Sequence, residues 1–171
     1  MQDLNNEVRG LRRAGYRFNP TDLELIKDYL LKMVYGNPPL STDDVFNING
    51  YGDREWRRHF EFFEDEDTLY FFTRLAPRSK NDSRIRRVAV NGKWKNQQSP
   101  IYISDDDGAI IGSKSSFSFI PKEGVPEPRG IKWVMHEYRL EGRYKNNECG
   151  IWRIRKMGRN GSTAADANQM L

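Results

Sequence analysis

Near the N-terminus, Leu25 (or Ile26), Tyr29, Leu30 and Met33 fall at helical spacing. Ahead of them Thr21 and Glu24 stand at capping-box spacing with acids in the first turn, and Gly36-Asn37-Pro38-Pro39 closes the pattern. The spacing predicts a helix from about Thr21 to Val34. A second short helix is expected to start at Ser41, where Asp43 and Asp44 suit the positive end of a helix dipole. From about residue 59 the pattern changes to strands. Leu69-Tyr70-Phe71-Phe72-Thr73 is aromatic and β-prone, Ile85 to Val90 reads as a strand, and Gly92 to Gln97 as another. Tyr102-Ile103 and Ile110-Ile111 flank Asp105-Asp106-Asp107-Gly108, a hairpin signal. Ser115 to Ile120 alternates, with Phe117 and Phe119 on one face and Ser116 and Ser118 on the other. After the proline- and glycine-rich loop Pro121 to Gly130, strands are predicted at Trp133 to Leu140 and Ile151 to Lys156. In the last of these Trp152 and Ile154 alternate with Arg153 and Arg155. Helices first and strands after predict an α+β fold with an antiparallel sheet.

Met1 to Arg13 lacks periodicity and is expected to be flexible; the small, polar tail after Met157 is expected to be disordered. Between them the 171 residues allow one domain with a real core. Charged residues reach 30% but aromatics reach 12%, which argues against wholesale disorder. Rings are therefore expected to carry the core: Phe62, Phe63, Phe71, Phe72, Trp94, Phe117, Phe119, Trp133 and Trp152.

The charge is segregated. Between Thr73 and Pro100 lie eight basic residues and one acid, Asp82, whereas Leu40 to Tyr70 holds nine acids and three arginines. The chain as a whole is only +4, so its basicity is concentrated. A concentrated positive stretch attracts a polyanion by releasing condensed counterions. Such runs are usually plain solvated faces. This one also carries Trp94, Asn96, Gln97 and Gln98, residues able to touch bases as well as phosphates, which tilts the reading toward nucleic acid.

Other chemistry finds little support. One cysteine, Cys149, and two histidines, His59 and His136, cannot build the usual zinc sets, and His136-Glu137-Tyr138-Arg139-Leu140 lacks the second histidine of a metalloprotease motif. Asp105-Asp106-Asp107 lacks calcium-loop spacing, and no nucleophile elbow or phosphate-cradling glycine loop is present. No enzyme activity, cofactor or small-molecule substrate is expected. A single cysteine and no signal peptide point to a reducing, intracellular setting, and no apolar run approaches a membrane span. His136 reads as a sheet residue with a hydrogen-bonded ring.

Several blocks, in order, resemble the NAC domain of plant transcription factors. Ala14-Gly15-Tyr16-Arg17-Phe18-Asn19-Pro20-Thr21-Asp22-Leu23-Glu24-Leu25 resembles the opening P-G-F-R-F-x-P-T-D-E-E-L, and Asp67-Thr68-Leu69-Tyr70-Phe71-Phe72 resembles E-W-Y-F-F. Asn81 to Ala89 resembles N-G-S-R-x-N-R-A-T, Trp94-Lys95 begins the segment matching W-K-A-T-G, and Trp133 to Leu140 is close to W-x-M-H-E-Y-R-L. The resemblance spans residues 14 to about 156. It implies a twisted antiparallel sheet packed between helices in a domain of residues 14–157. It also implies nuclear, dimeric, sequence-specific binding of double-stranded promoter DNA.

Carried over residue by residue, the family's dimer contact falls on Gly15, Tyr16, Arg17 and Phe18, with an Arg17–Glu24 bridge across the two-fold axis. Glu24 also reads locally as the capping-box acid. The resemblance implies that the edge strand of the W-K-A-T-G block enters the major groove and that DNA contacts fall on Arg84, Arg87 and Lys95, with Lys80 and Lys114 as secondary candidates for phosphate. Strand alternation sets Trp94, Asn96 and Gln98 on one face and Lys95 and Gln97 on the other, so Trp94 is expected to anchor the strand while Lys95 and Gln97 point outward to DNA. Partners would be duplex DNA and a second NAC protein, the same or different. The chain departs from the pattern where Ala-Thr-Gly is replaced by Asn96-Gln97-Gln98, where D-P-W-x-L-P is only partly answered by Gly52-Asp53-Arg54-Glu55-Trp56, and where Arg129-Gly130-Ile131-Lys132 replaces a longer basic stretch. The altered strand leaves open a degenerate NAC-like module that dimerises with other members and titrates them. Single-strand or RNA binding through stacked aromatics is a further alternative. About fifteen residues follow Lys156, where the family carries a long regulatory region. The chain is thus read either as an excised domain or as a short form that binds without activating.

Overall fold

A computed structural model describes residues 17–36, 43–48, 53–75, 77–79, 82–85, 88–89 and 91–158; for 53–55, 77–79, 82–85 and 88–89 only the backbone is described. The start expected to be flexible, Met1 to Arg13, and the tail after Gly158 lie outside these residues. The predicted first helix, α1, is present as three consecutive segments, Asp22–Glu24, Leu25–Leu30 and Leu31–Val34. Thr21 caps it, its hydroxyl accepting the Glu24 backbone N–H at 3.1 Å. The middle segment widens into π-type turns, and Leu25, Ile26 and Leu30 are buried.

The short helix expected from Ser41 is not found. Ser41 itself lies outside the described residues, but Asp43 and Asp44 form a turn and Val45–Ile48 is a strand, β1. A helix not expected from the pattern, α2, occupies Asp53–Phe62. Trp56 and Phe60, one turn apart, are buried, while Phe62, two residues on, faces outward at 48% exposure. Phe62 is therefore not a core ring.

The remaining strands are β2 (Thr68–Arg74), β3 (Pro77–Ser79), β4 (Asp82–Ile85), β5 (Val88–Ala89), β6 (Gly92–Asn96), β7 (Ile101–Ser104), β8 (Ile110–Pro121), β9 (Lys132–Leu140) and β10 (Asn146–Met157). The main sheet runs β1-β2-β10-β9-β8-β6-β5, with β7 also on β8. Its pairings are antiparallel except the first: β1 lies parallel to β2, because α2 supplies the crossover that parallel neighbours require. The expected continuous strand from Ile85 to Val90 is instead divided. β4 pairs with β3 in a separate two-stranded sheet and β5 pairs with β6, so one basic segment serves two sheets.

Both faces of the main sheet are covered. On one, α2 contributes Trp56 and Phe60 to a cluster with Phe71, Trp94, Phe117, Phe119, Trp133, Met135, Trp152 and Ile154. On the other, α1 sets Leu25, Ile26 and Leu30 against Tyr70, Ile111, Tyr138, Leu140 and Ile151. The α+β architecture is thus a helix–sheet–helix sandwich with a ring-rich core, as α2 and α1 each bury one apolar stripe. The close seating of α1 depends on Gly112: a Cβ there would come within 2.6 Å of the Ile26 Cδ1 atom. No described helix is long and apolar enough to cross a membrane.

Candidate nucleic-acid interface

Strand β6 lies near one side of the sheet. Its inner side pairs with β8 from Gly92↔Pro121 to Asn96↔Phe117, while β5 covers only Gly92 and Lys93. Beyond Lys93 its outer side has no strand partner among the described residues. Alternation then decides what β6 presents. Trp94 turns inward, 4% exposed, with its ring centroid 5.2 Å from Phe119 and 5.5 Å from Trp56. Lys93, Lys95, Asn96, Gln97 and Gln98 are all exposed. Gln97 lies just past the strand, its N–H donating to the Ser116 carbonyl at 2.9 Å and its side-chain amide to the Lys95 carbonyl at 3.0 Å. The expected geometry of a tryptophan anchor behind an outward Lys95 is thus present.

The anchor is itself braced. Trp56 packs on Trp133 at 4.9 Å, and the Arg57 guanidinium lies over Trp56, Phe119 and Trp133 at 5.0, 4.9 and 5.7 Å. Arg57 also makes a two-pronged pair with Glu127, at 2.7 and 3.0 Å. That pair ties the proline- and glycine-rich loop to α2, directly behind β6.

Lys95 opposes Ser118, Ser118 opposes Val134, and Val134 opposes Arg155, so these four form one row across the sheet. The next row holds Ser116, His136, Arg153 and Tyr70. This is the face that α1 covers further along. The link between the covered and open parts is polar. Asp22, in the first turn of α1, accepts from the Tyr138 hydroxyl at 2.6 Å and pairs with Lys114 at 3.2 Å. Burial pushes the Asp22 carboxyl up, but the hydrogen bonds from Tyr138 and Lys114 outweigh it and hold the group below its ordinary value. Burial, reinforced by the bond to Asp22, pushes the Tyr138 hydroxyl well up.

Arg153 lies over the Tyr138 ring at 5.6 Å, and one of its guanidinium nitrogens is 3.0 Å from His136 Nδ1. His136 is thus the hydrogen-bonded sheet residue expected. It is held down to about 4, first by burial and then by the charges of Arg153, Lys114 and Arg155.

The other nominated residues divide. Lys114 spends its ammonium on Asp22, which docks α1. Arg84 lies on β4, described in backbone alone; Lys80 and Arg87 lie outside the described residues, as do Gly15 and Tyr16. Arg17 and Glu24 are exposed. Phe18 packs edge-on against Tyr70 at 4.8 Å and Tyr29 at 5.3 Å, filling its own chain's core. In the sequence Arg153 and Arg155 only alternate with Trp152 and Ile154; the register that brings them to the Lys95 face is non-local. Among the described residues no group of three or more His, Cys, Asp or Glu side chains could hold a metal.

Comparison with known proteins matches residues 13–140 to the family described as "No apical meristem (NAM) protein". The chain is 34% identical over 144 residues to NAC transcription factor 47 of Arabidopsis thaliana, covering 80% of this chain and 39% of that protein. It is 33% identical over 168 residues to NAC domain-containing protein 55 of the same plant, covering 97% and 47%. With NAC domain-containing protein JA2L of Solanum lycopersicum it shares 35% identity over 128 residues, 74% and 35% of the two chains. The chain spans about a third to a half of the length of these relatives.

Proposed function

The chain belongs to the NAC (no apical meristem) family, and on that premise we propose that residues 14–157 form the DNA-binding and dimerisation domain of a nuclear transcription factor. It binds double-stranded promoter DNA in a sequence-specific manner, as a dimer with itself or another NAC protein. The observation that carries this reading is the exposed Lys95 on the open side of β6 with Trp94 buried behind it, at the position of the family's W-K-A-T-G block. Lys95 suits the O6 and N7 acceptors of guanine and Gln97 the edge of adenine. Arg84 and Arg87, from the block before β6, supply phosphate contacts, with Lys80 beside them.

The test is a fluorescence-anisotropy titration of duplex DNA at several salt concentrations. Arg87→Ala weakens binding to every duplex and flattens the logarithmic salt dependence by about one unit per lost phosphate contact. Lys95→Ala weakens the preferred duplex most. An unchanged affinity and slope in both variants removes the assignment. One observation favours the alternative module that titrates its relatives without binding DNA strongly: the Gln97 amide is folded back on the Lys95 carbonyl. Absence of duplex binding together with capture of other NAC domains would select that reading.

The dimer contact is proposed at Arg17 and Glu24, both exposed and so available to a partner. A two-fold contact repeats each bridge, so one substitution breaks two. Exposed bridges contribute about 0.5 kcal/mol each, so Arg17→Glu weakens the dimer by about fivefold. Combining it with Glu24→Arg restores part of the loss. Sedimentation equilibrium reads both effects, and a monomeric unmodified chain at tens of micromolar, roughly where modest dimers persist, counts against the contact.

A further inference from the structure

The open part of the Lys95 face carries cations on both of its sides. Lys93 and Lys95 project from β6, while Arg153 and Arg155 project from β10, three strands away, which is about 14 Å at the usual spacing between strands. The floor between them, Ser118 and Val134 in the central row, is small and uncharged. Asp22, engaged by Tyr138 and Lys114, borders it, as does Asp67, whose carboxylate accepts from the hydroxyl of Thr68, the residue opposite Arg155. The field of this face is felt inside it, since Arg153 and Arg155 both help to suppress protonation of His136. Arg153 is half-buried and held by Tyr138 and His136, whereas Arg155 is exposed.

We propose that this face is a second DNA-contact surface, on which Arg155 of the C-terminal strand binds the phosphate backbone flanking the groove that β6 enters, with Arg153 held beside it as a positioning residue. The proposal rests on the reading of β6 as a groove-facing strand. The B-DNA major groove is about 12 Å wide. With Lys95 in the groove, a cation row about 14 Å to one side clears its wall and meets the bordering strand's phosphates. Charge complementarity selects a polyanion, and the uncharged floor leaves a base-independent role for the cation at its rim.

The experiment compares the full chain with Arg155→Ala, Arg155→Lys and a charge-matched control, Lys145→Ala, an exposed lysine toward the opposite end of β10. Each is titrated with a duplex carrying a selected site and with a scrambled duplex across a salt series. Arg155→Ala is expected to weaken both duplexes three- to tenfold and to lower the salt slope by about one, without changing the selected sequence. Arg155→Lys should keep most of the slope, and Lys145→Ala should resemble the parent. If Arg155→Ala matches Lys145→Ala in affinity and slope while the parent binds, the second surface is wrong and the β6 reading stands. If the parent binds neither duplex, both are overturned together.

Discussion

Replacing Trp94 by alanine should cost the fold roughly 3–5 kcal/mol, the usual loss when a large buried ring is deleted and its cavity cannot collapse. The indole is 4% exposed and is gripped by Trp56 and Phe119 at 5.5 and 5.2 Å. Trp56 in turn packs on Trp133 and Phe60, so the hole opens in the middle of a ring-rich cluster. Thermal unfolding should show a midpoint lower by on the order of 10 °C. DNA binding should fall only in proportion to the folded fraction. Lys95→Ala, one residue along, should do the reverse: it is exposed, so the midpoint holds while affinity drops. A Trp94→Ala protein that melts within about a degree of the parent would show that this ring does not anchor the strand.

The contrast between adjacent residues is what the sequence states most clearly. A strand period of two separates Trp94 from Lys95, Phe117 and Phe119 from Ser116, and Trp152 and Ile154 from Arg153 and Arg155, and the burial of each follows it. The start of α1 was equally legible, because Thr21 is a cap that acts within four residues. Features that depend on remote pairing were not. Val45–Ile48 is a strand whose partner lies beyond a helix, so no local alternation marks it as parallel to β2. In α2 and just past its end the apolar positions Trp56, Phe60 and Phe63 do recur at helical spacing, but they sit among so many charges that composition masked the period. The division of the basic segment between two sheets, and the register that brings Arg155 to the face of Lys95, follow from pairings that a linear pattern does not contain.

The Arg57–Glu127 pair belongs to the same non-local class, and removing its acid should be among the most damaging single changes in the protein. Both side chains are largely buried, at 19% and 17% exposure, and the two bonds of 2.7 and 3.0 Å join α2 to the loop between β8 and β9. Glu127→Ala removes the Glu127 carboxylate from a guanidinium that lies over Trp56, Phe119 and Trp133. Breaking a buried pair from one side costs about 3 kcal/mol, since the remaining charge keeps its desolvation penalty and loses its compensation. The rings offset part of that through cation–π attraction, about 1 kcal/mol for partly exposed sites, so the loss should fall near 2–3 kcal/mol. Removing both charges is different. Arg57→Met combined with Glu127→Leu takes both charges away, and such replacements are often neutral or stabilising. Chemical denaturation of Arg57→Met, Glu127→Leu and their combination therefore shows a double variant that loses less stability than the sum of its singles and is more stable than Glu127→Leu alone. A double variant as unstable as the sum of its singles would mean that the pair holds the loop by its geometry alone. Because Arg57 and Trp94 press on the same indole, Trp56, the double variant also separates two ways of supporting β6. If charge is dispensable and packing suffices, DNA affinity returns with stability; if the loop must be pinned for β6 to keep its position, stability returns and affinity does not.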